Sequence, residues 1–473
     1  MQLEAEFPAT ARRVRRLPGP IPRETSLGPI GLLAVLRRNP LEMWTRQHFE
    51  EPIVVREATL GRRAVVSDPD AIRRILVDNV SNYRKDGLQR RVLAPGLGDG
   101  LLTAEGSNWR QQRRALASLF TPRSVASFLP AMAEAAQGLV RRWQRHRDGR
   151  VLEISAEMGR VTLDILERTL FSAGLEGDPR DFARNLTRYF DTFGRIDPLD
   201  ILGLPAWIPR LGRIRGRSTL TYFEEAVDKI IAARRTRLES DPAHVPNDLL
   251  TLLMQARDPE TGEGLGEAQI RANVVTFIGA GHETTANALT WSLFLLAGHP
   301  QIRETIEAEA DRELGSGPMT LEIVERLVAT RAVIEEAMRL YPPVAILSRE
   351  AIEADDLAGE RIRAGTIVVV APWVLHRHRR LWRDPEHFAP RRFLPENRGN
   401  IHRFAYLPFG AGPRVCIGAQ FALHEAAIVL AHIVRAYRLD LVPGEEVAPV
   451  QRVTLRPSGG LRLRLSSRHS SPA

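Results

Sequence analysis

The single cysteine of this chain, Cys416, sits in the run Phe409-Gly410-Ala411-Gly412-Pro413-Arg414-Val415-Cys416-Ile417-Gly418. Two glycines and a proline there shape a tight loop that delivers the sulfur to the start of a helix. Backbone N–H groups at a helix N-terminus and the nearby Arg414 favour negative charge on sulfur, so the segment reads as a thiolate site. The glycines let the backbone approach a flat partner closely. A buried structural cysteine beside a glycine-rich turn would use the same residues. A second cluster, Ala280-Gly281-His282-Glu283-Thr284-Thr285, lies inside a long helical stretch from about 267 to 297. Threonine hydroxyls compete for i−4 carbonyls, so a local distortion with room for a small ligand is expected there. An acid beside a hydroxyl is also a proton-relay pair. His282-Glu283 does not extend to the zinc-protease spacing, because position 286 is Ala. Two further pairs share helix faces. Glu336 and Arg339 are spaced i, i+3 before Pro342 ends their helix, and Trp109 and Arg113 are spaced i, i+4, so that indole N–H and guanidinium reach one anionic group together. Taken singly, these pairs are equally a surface ion pair and a tryptophan packed on an arginine stem.

The ten-residue loop resembles the haem-binding loop of the cytochrome P450 monooxygenases, Phe-Gly-x-Gly-x-Arg-x-Cys-x-Gly, at every fixed position. The resemblance implies haem b as cofactor, Cys416 as its proximal iron ligand and Arg414 as a partner of a haem propionate, with Phe409, Gly410 and Gly418 completing the loop. The thiolate ligand of that family favours O–O cleavage. Four further stretches match in the family's order. Ala280, Gly281, Glu283 and Thr284 align with its oxygen-activation motif, which implies that Thr284 orients iron-bound oxygen while Glu283 relays protons. Trp109 and Arg113 are similar to the Trp-Arg-x-x-Arg helix that holds a propionate, and Arg349 follows Arg339 at the position of another propionate-binding arginine. Glu336 and Arg339 resemble the Glu-x-x-Arg helix. With Arg392 of Pro390-Arg391-Arg392-Phe393 they imply a buried Glu–Arg–Arg cluster that pins the coil before the haem loop, Arg391 standing where the family has an acid. The expected fold is mainly α with a minor β part, and the expected reaction inserts one oxygen atom from O2 into an apolar small molecule such as a fatty acid, terpenoid or steroid. No flavin or iron–sulfur module fits after Cys416, so electrons are expected from a separate ferredoxin or flavodoxin with its reductase, or from a diflavin reductase. Arg110 or Arg114 is a candidate to attract an acidic donor. A peroxide-using enzyme, an isomerase or a non-catalytic ligand binder of the same fold is the alternative, and Thr284 and Glu283 argue against the first two.

These residues need a scaffold, and the sequence outlines one. Ile53-Val54-Val55 and Ala64-Val65-Val66 flank Gly61 like the strands of a hairpin, and Asp68-Pro69 opens a helix. From about 109 to 340 the periodicity is helical, for example 125–143, 161–171 and 222–238. The segment 190–217 carries several Pro and Gly breakers and reads as an apolar connection between helices. Short strands such as 366–370, a Pro- and Arg-rich coil, a final helix over 418–436 and terminal strands around 453–465 follow. An N-terminal arm over 1–25 and one domain over 26–473 are expected. In the family, substrate contacts come from a loop near 88–100, the connection 190–209 with Phe190 and Phe193, the central helix and a strand near 344–347.

Composition narrows the alternatives. With 473 residues, 44% hydrophobic and 26% charged, the chain is globular in profile. A formal charge of +9 is spread along the sequence among interleaved acids, and all cations but Lys85 and Lys229 are arginine, so no nucleic-acid partner is indicated. One cysteine excludes intramolecular disulfides and multi-cysteine metal sites. The arginine-rich start has no apolar core before a cleavage site, the apolar run 27–36 is too short to span a bilayer and the uncharged run 284–302 is interrupted by Asn287, His299 and Pro300, which gives cytoplasmic as the expected location.

Overall fold

A computed structural model describes residue 7 and residues 17–58, 61–172, 198–201 and 208–468 of the chain. The β-branched runs form the expected hairpin: Ile53–Ala58 (β1) pairs antiparallel with Gly61–Val66 (β2), Val54 lying opposite Val65. Three more strands extend it, Tyr83–Arg84 (β3), Leu347–Ala351 (β4) and Ile367–Val370 (β5), in the order β1-β2-β5-β4-β3. The β2–β5 junction is parallel and the other three are antiparallel. The Asp68 carboxylate accepts the Ala71 N–H at 2.8 Å and starts the helix that the Asp-Pro pair announces.

Helices make up most of the remainder. Those that frame the interior are α1 (Gly87–Leu97), α2 (Gly106–Ala117), α3 (Leu129–Trp143), α4 (Ile154–Leu166), α5 (Leu211–Ser240), α6 (Glu267–Ala297), α7 (Val328–Leu340) and α8 (Ala419–Ala436). The central helix α6 is buried over most of its circumference, which is why its sequence is apolar on every face rather than along one stripe. The periodicity over 125–143 resolves into two helices, Pro122–Ser127 and α3, parted at Phe128. Pro130 explains the break, since it offers no N–H to the preceding turn. The expected loop near 88–100 is largely the helix α1. Most of the connection 190–209, with Phe190 and Phe193, lies outside the described residues, as does the arginine-rich start.

The coil between β5 and α8 is held by a buried ion pair on α7. Glu336 and Arg339 are both 0% exposed, and their carboxylate and guanidinium meet twice, at 2.7 and 2.9 Å. The remaining Arg339 donors reach the carbonyls of His376, Pro385 and His387 at 2.7–2.9 Å, and Glu336 also accepts the Ala389 N–H at 2.8 Å. Arg392 stands beside them, 3.6 Å from Glu336, and donates to the Asp384 carbonyl at 3.0 Å. Replacing Arg339 by Met leaves Glu336 as an uncompensated buried charge and three carbonyls without donors. The expected cost is about 3–5 kcal/mol, read from urea unfolding of the cofactor-loaded protein.

Candidate active site

A cavity of about 400 Å³ lies between α6, the Cys416 loop and the β-sheet lobe. The loop is seated by its backbone. Cys416 N–H donates to the Phe409 carbonyl at 2.9 Å, and Gly412, at φ +71°, lies so close to β-lobe residue Leu76 that a Cβ would stand 1.8 Å from its carbonyl oxygen. Only glycine fits there. The loop is approached from below by His376, whose Nε2 accepts the Leu407 N–H at 2.8 Å. The Cys416 thiol is exposed, opening into the space that the cavity encloses.

That enclosure changes one expectation. Burial raises the pKa of the Cys416 thiol, outweighing the favourable Gly418 N–H and the one nearby cation, which is Arg113 and not Arg414. Arg414 is engaged elsewhere: it pairs with Glu105 at 2.8 Å, donates to the Ala104 carbonyl at 3.2 Å and stacks over the Trp109 ring at 4.2 Å. A thiolate at this depth therefore needs a countercharge at the sulfur itself.

Four cations line the same cavity: Lys85, Arg113, Arg349 and Arg414. Burial lowers the pKa of each arginine, and burial together with Arg414 and Arg349 brings Lys85 down to about 7. Glu105 offsets this charge only in part. Lys85, which also donates to the Leu102 carbonyl, escaped the sequence analysis. The available signal was that it is one of two lysines in an arginine-rich chain.

On α6, Ala280, Gly281, Glu283 and Thr284 all border the cavity. The expected distortion is absent, since α6 is continuous α-helix from Glu267 to Ala297. Thr284 Oγ1 donates to the Ala280 carbonyl at 2.5 Å without displacing the backbone ladder. The Glu283 carboxylate lies 3.8 Å from Arg456. Glu425 on α8 was also missed: it borders the cavity, burial pushes its carboxyl well above the usual range, and Thr285 is its favourable neighbour. A lone acid within the apolar run Phe421–Ala431 was the sequence signal. Away from the cations the walls are aliphatic and aromatic, with Leu93, Leu97, Leu101, Phe277, Val344 and Ile346.

A family model described as Cytochrome P450 matches residues 20–463. The chain belongs to the cytochrome P450 family. Similar proteins include cyclooctat-9-en-7-ol 5-monooxygenase of Streptomyces melanosporofaciens, 34% identical over 89% of this chain and 90% of that protein. Cyclooctatin synthase of the same organism is 31% identical over 92% of each. The bifunctional cytochrome P450/NADPH–P450 reductase 1 of Bacillus subtilis is 31% identical over 95% of this chain, which spans 42% of that longer protein. Among solved structures, the haem domain of cytochrome P450DA superposes with a TM-score of 0.82 at 28% identity, covering 96% of this chain and 99% of that one. The chain is thus an oxidoreductase of the P450 monooxygenase type whose cofactor is haem b. Among the described residues no helix is long and apolar enough to cross a membrane.

The cavity fits that cofactor on its own chemistry. A sulfur open to the cavity, a glycine cradle pressed against Leu76 and a group of cations that Glu105 offsets only in part suit a flat iron complex bearing two carboxylates. The Lys85 pKa of about 7 gives a pH test. An anion placed among these cations raises that pKa, so binding takes up a proton above pH 7 and affinity falls as pH rises. The wild type is expected to lose haem to a globin scavenger progressively faster between pH 7 and 9, and the Lys85→Met variant to show a flatter profile.

Proposed function

We propose that this P450 hydroxylates an apolar small molecule of the terpenoid, steroid or fatty-acid type, with Cys416 as the thiolate ligand of haem and Thr284 and Glu283 as its proton-handling pair. The observation that carries the reading is that Cys416, Thr284 and the four cations border one cavity whose remaining wall is apolar. Bound haem supplies the activation of dioxygen, from which one atom enters a substrate C–H bond and the other leaves as water. The chain's own residues do the rest. Arg113, Arg349, Arg414, Trp109 and Lys85 hold the propionates. Phe409, Gly410 and Gly418 shape the loop around the ligating sulfur, while Ala280 and Gly281 keep the helix side of the cavity open. The Thr284 hydroxyl, tied to the Ala280 carbonyl, keeps its lone pairs free to accept a hydrogen bond from a donor in the cavity. Glu283, turned toward Arg456, takes protons from outside and passes them inward.

Electrons come from a separate ferredoxin or flavodoxin with its reductase. Arg114 is excluded as the docking cation, since it is committed to Asp258 at 2.5 and 2.7 Å and to Glu260 at 3.0 Å. Exposed Arg110 remains as the contact for an acidic donor. The substrate class has support in the relatives, one of which takes an unsaturated cyclic alcohol by name.

The test is optical and kinetic. The reduced protein with carbon monoxide should show the strongly red-shifted Soret band of thiolate ligation, and Cys416→His should lose it. Geranylgeraniol, androstenedione and dodecanoic acid are the probes for a low-to-high-spin shift, the uncharged pair being expected to bind more tightly. Thr284→Ala should keep consuming NADPH while product formation falls by about 10²-fold and hydrogen peroxide accumulates. Full product yield from that variant would defeat the assignment of Thr284.

A further inference from the structure

We infer that His282 is a positioning residue, a pin between α6 and α4 that sets the rotational phase of α6 and thereby the placement of Thr284 and Glu283. Its ring Nε2 donates to the Gly159 carbonyl on α4 at 3.0 Å, and its own carbonyl accepts from Thr162 Oγ1 on α4 at 3.3 Å. One residue is thus tied to the neighbouring helix by side chain and by backbone. The contact is tight at this level: a Cβ on Gly281 would stand 3.2 Å from Leu166 Cδ2. The tie is electrically neutral, for burial lowers the His282 pKa to about 4 and the Gly159 carbonyl selects the tautomer with its proton on Nε2.

The other ring nitrogen adds a cost that a purely packing residue would avoid. Nδ1 is shut off from solvent and has no hydrogen-bond partner among the described residues. A leucine or phenylalanine would fill the space between the helices without leaving a buried acceptor unmet. What the apolar residues would lack is the donor to Gly159, and with it the rotational reference.

Geometry explains why that reference matters. Thr284 follows His282 by two residues, roughly 200° around the helix, so a group pinned on the α4 side fixes what faces the far side. A side-chain atom roughly 5 Å from the axis moves by about 0.9 Å when the helix rolls by about 10°. Displacements of that size at a reacting centre are enough to cost orders of magnitude in rate. The inference rests on the proposed role of Thr284, and the experiment separates the two.

Haem-loaded wild type, Thr284→Ala, His282→Phe, His282→Gln and the double variant His282→Phe/Thr284→Ala are compared with a ferredoxin and reductase. The probe is whichever of geranylgeraniol, androstenedione and dodecanoic acid the wild type oxidises fastest. Three quantities are read: the ratio of product to hydrogen peroxide, KM for the probe, and the infrared stretch of carbon monoxide bound to the reduced protein. His282→Phe should lower the product share roughly fivefold and shift the stretch while leaving KM unchanged. His282→Gln, whose amide reaches Gly159 with a donor, should recover most of both, and the double variant should be no worse than Thr284→Ala alone. If Thr284→Ala uncouples but His282→Phe changes neither ratio nor stretch, the pin is wrong and the Thr284 assignment stands. A loss in His282→Phe that Gln does not rescue and that adds to Thr284→Ala marks a merely structural residue and also overturns the pin. If Thr284→Ala itself stays coupled, the Thr284 assignment fails and the pin falls with it.

Discussion

One guanidinium carries the coil that carries the haem loop. Arg339 uses all five of its N–H groups on Glu336 and on the carbonyls of three residues between 376 and 387, with no exposed surface. Such a buried charge is unfavourable by itself and becomes tolerable only when every donor finds its acceptor. Because those acceptors belong to chain without regular secondary structure, the guanidinium dictates the path of the coil. Glu336 fixes Ala389, His376 fixes Leu407, and the Cys416 loop begins two residues later. The position of the sulfur is therefore inherited from α7.

What was legible in the sequence was whatever local spacing enforces. The Cys416 loop needs Gly412 because of one close approach to Leu76, and α6 spans the stretch that the apolar periodicity marks out. What was not legible depends on partners far away in sequence. Arg414, two residues from Cys416, looked like the cation for its thiolate, whereas Glu105 claims it and Arg113 from α2 stands near the sulfur. Lys85 and Glu425 matter through burial, which no single stretch of sequence displays. The threonines of the 280–285 cluster do not break α6. The backbone ladder holds there, and Thr284 shares the Ala280 carbonyl instead of displacing it.

The cavity gathers positive charge. Lys85, Arg113, Arg349 and Arg414 are partly desolvated together, with Glu105, Asp86 and Asp99 as the acids that offset them. A protein built for stability alone would not hold cations this way. The imbalance is a binding device, since the free energy of relieving it goes to whichever anion enters.

The sheet beside this cavity joins β1 and β2 from the first fifth of the chain to β4 and β5 from the last third, and Leu76 of the early lobe meets Gly412 of the late loop. Contacts this distant in sequence form slowly, because a long loop must close before they contribute anything. As the chain leaves the ribosome, the helical middle is complete while the cavity still lacks its sulfur. The site is thus assembled from both ends of the chain, and a nascent chain that stops short of residue 349 has only Lys85 and Arg113 of the four cations and no Cys416 loop to wall the cavity.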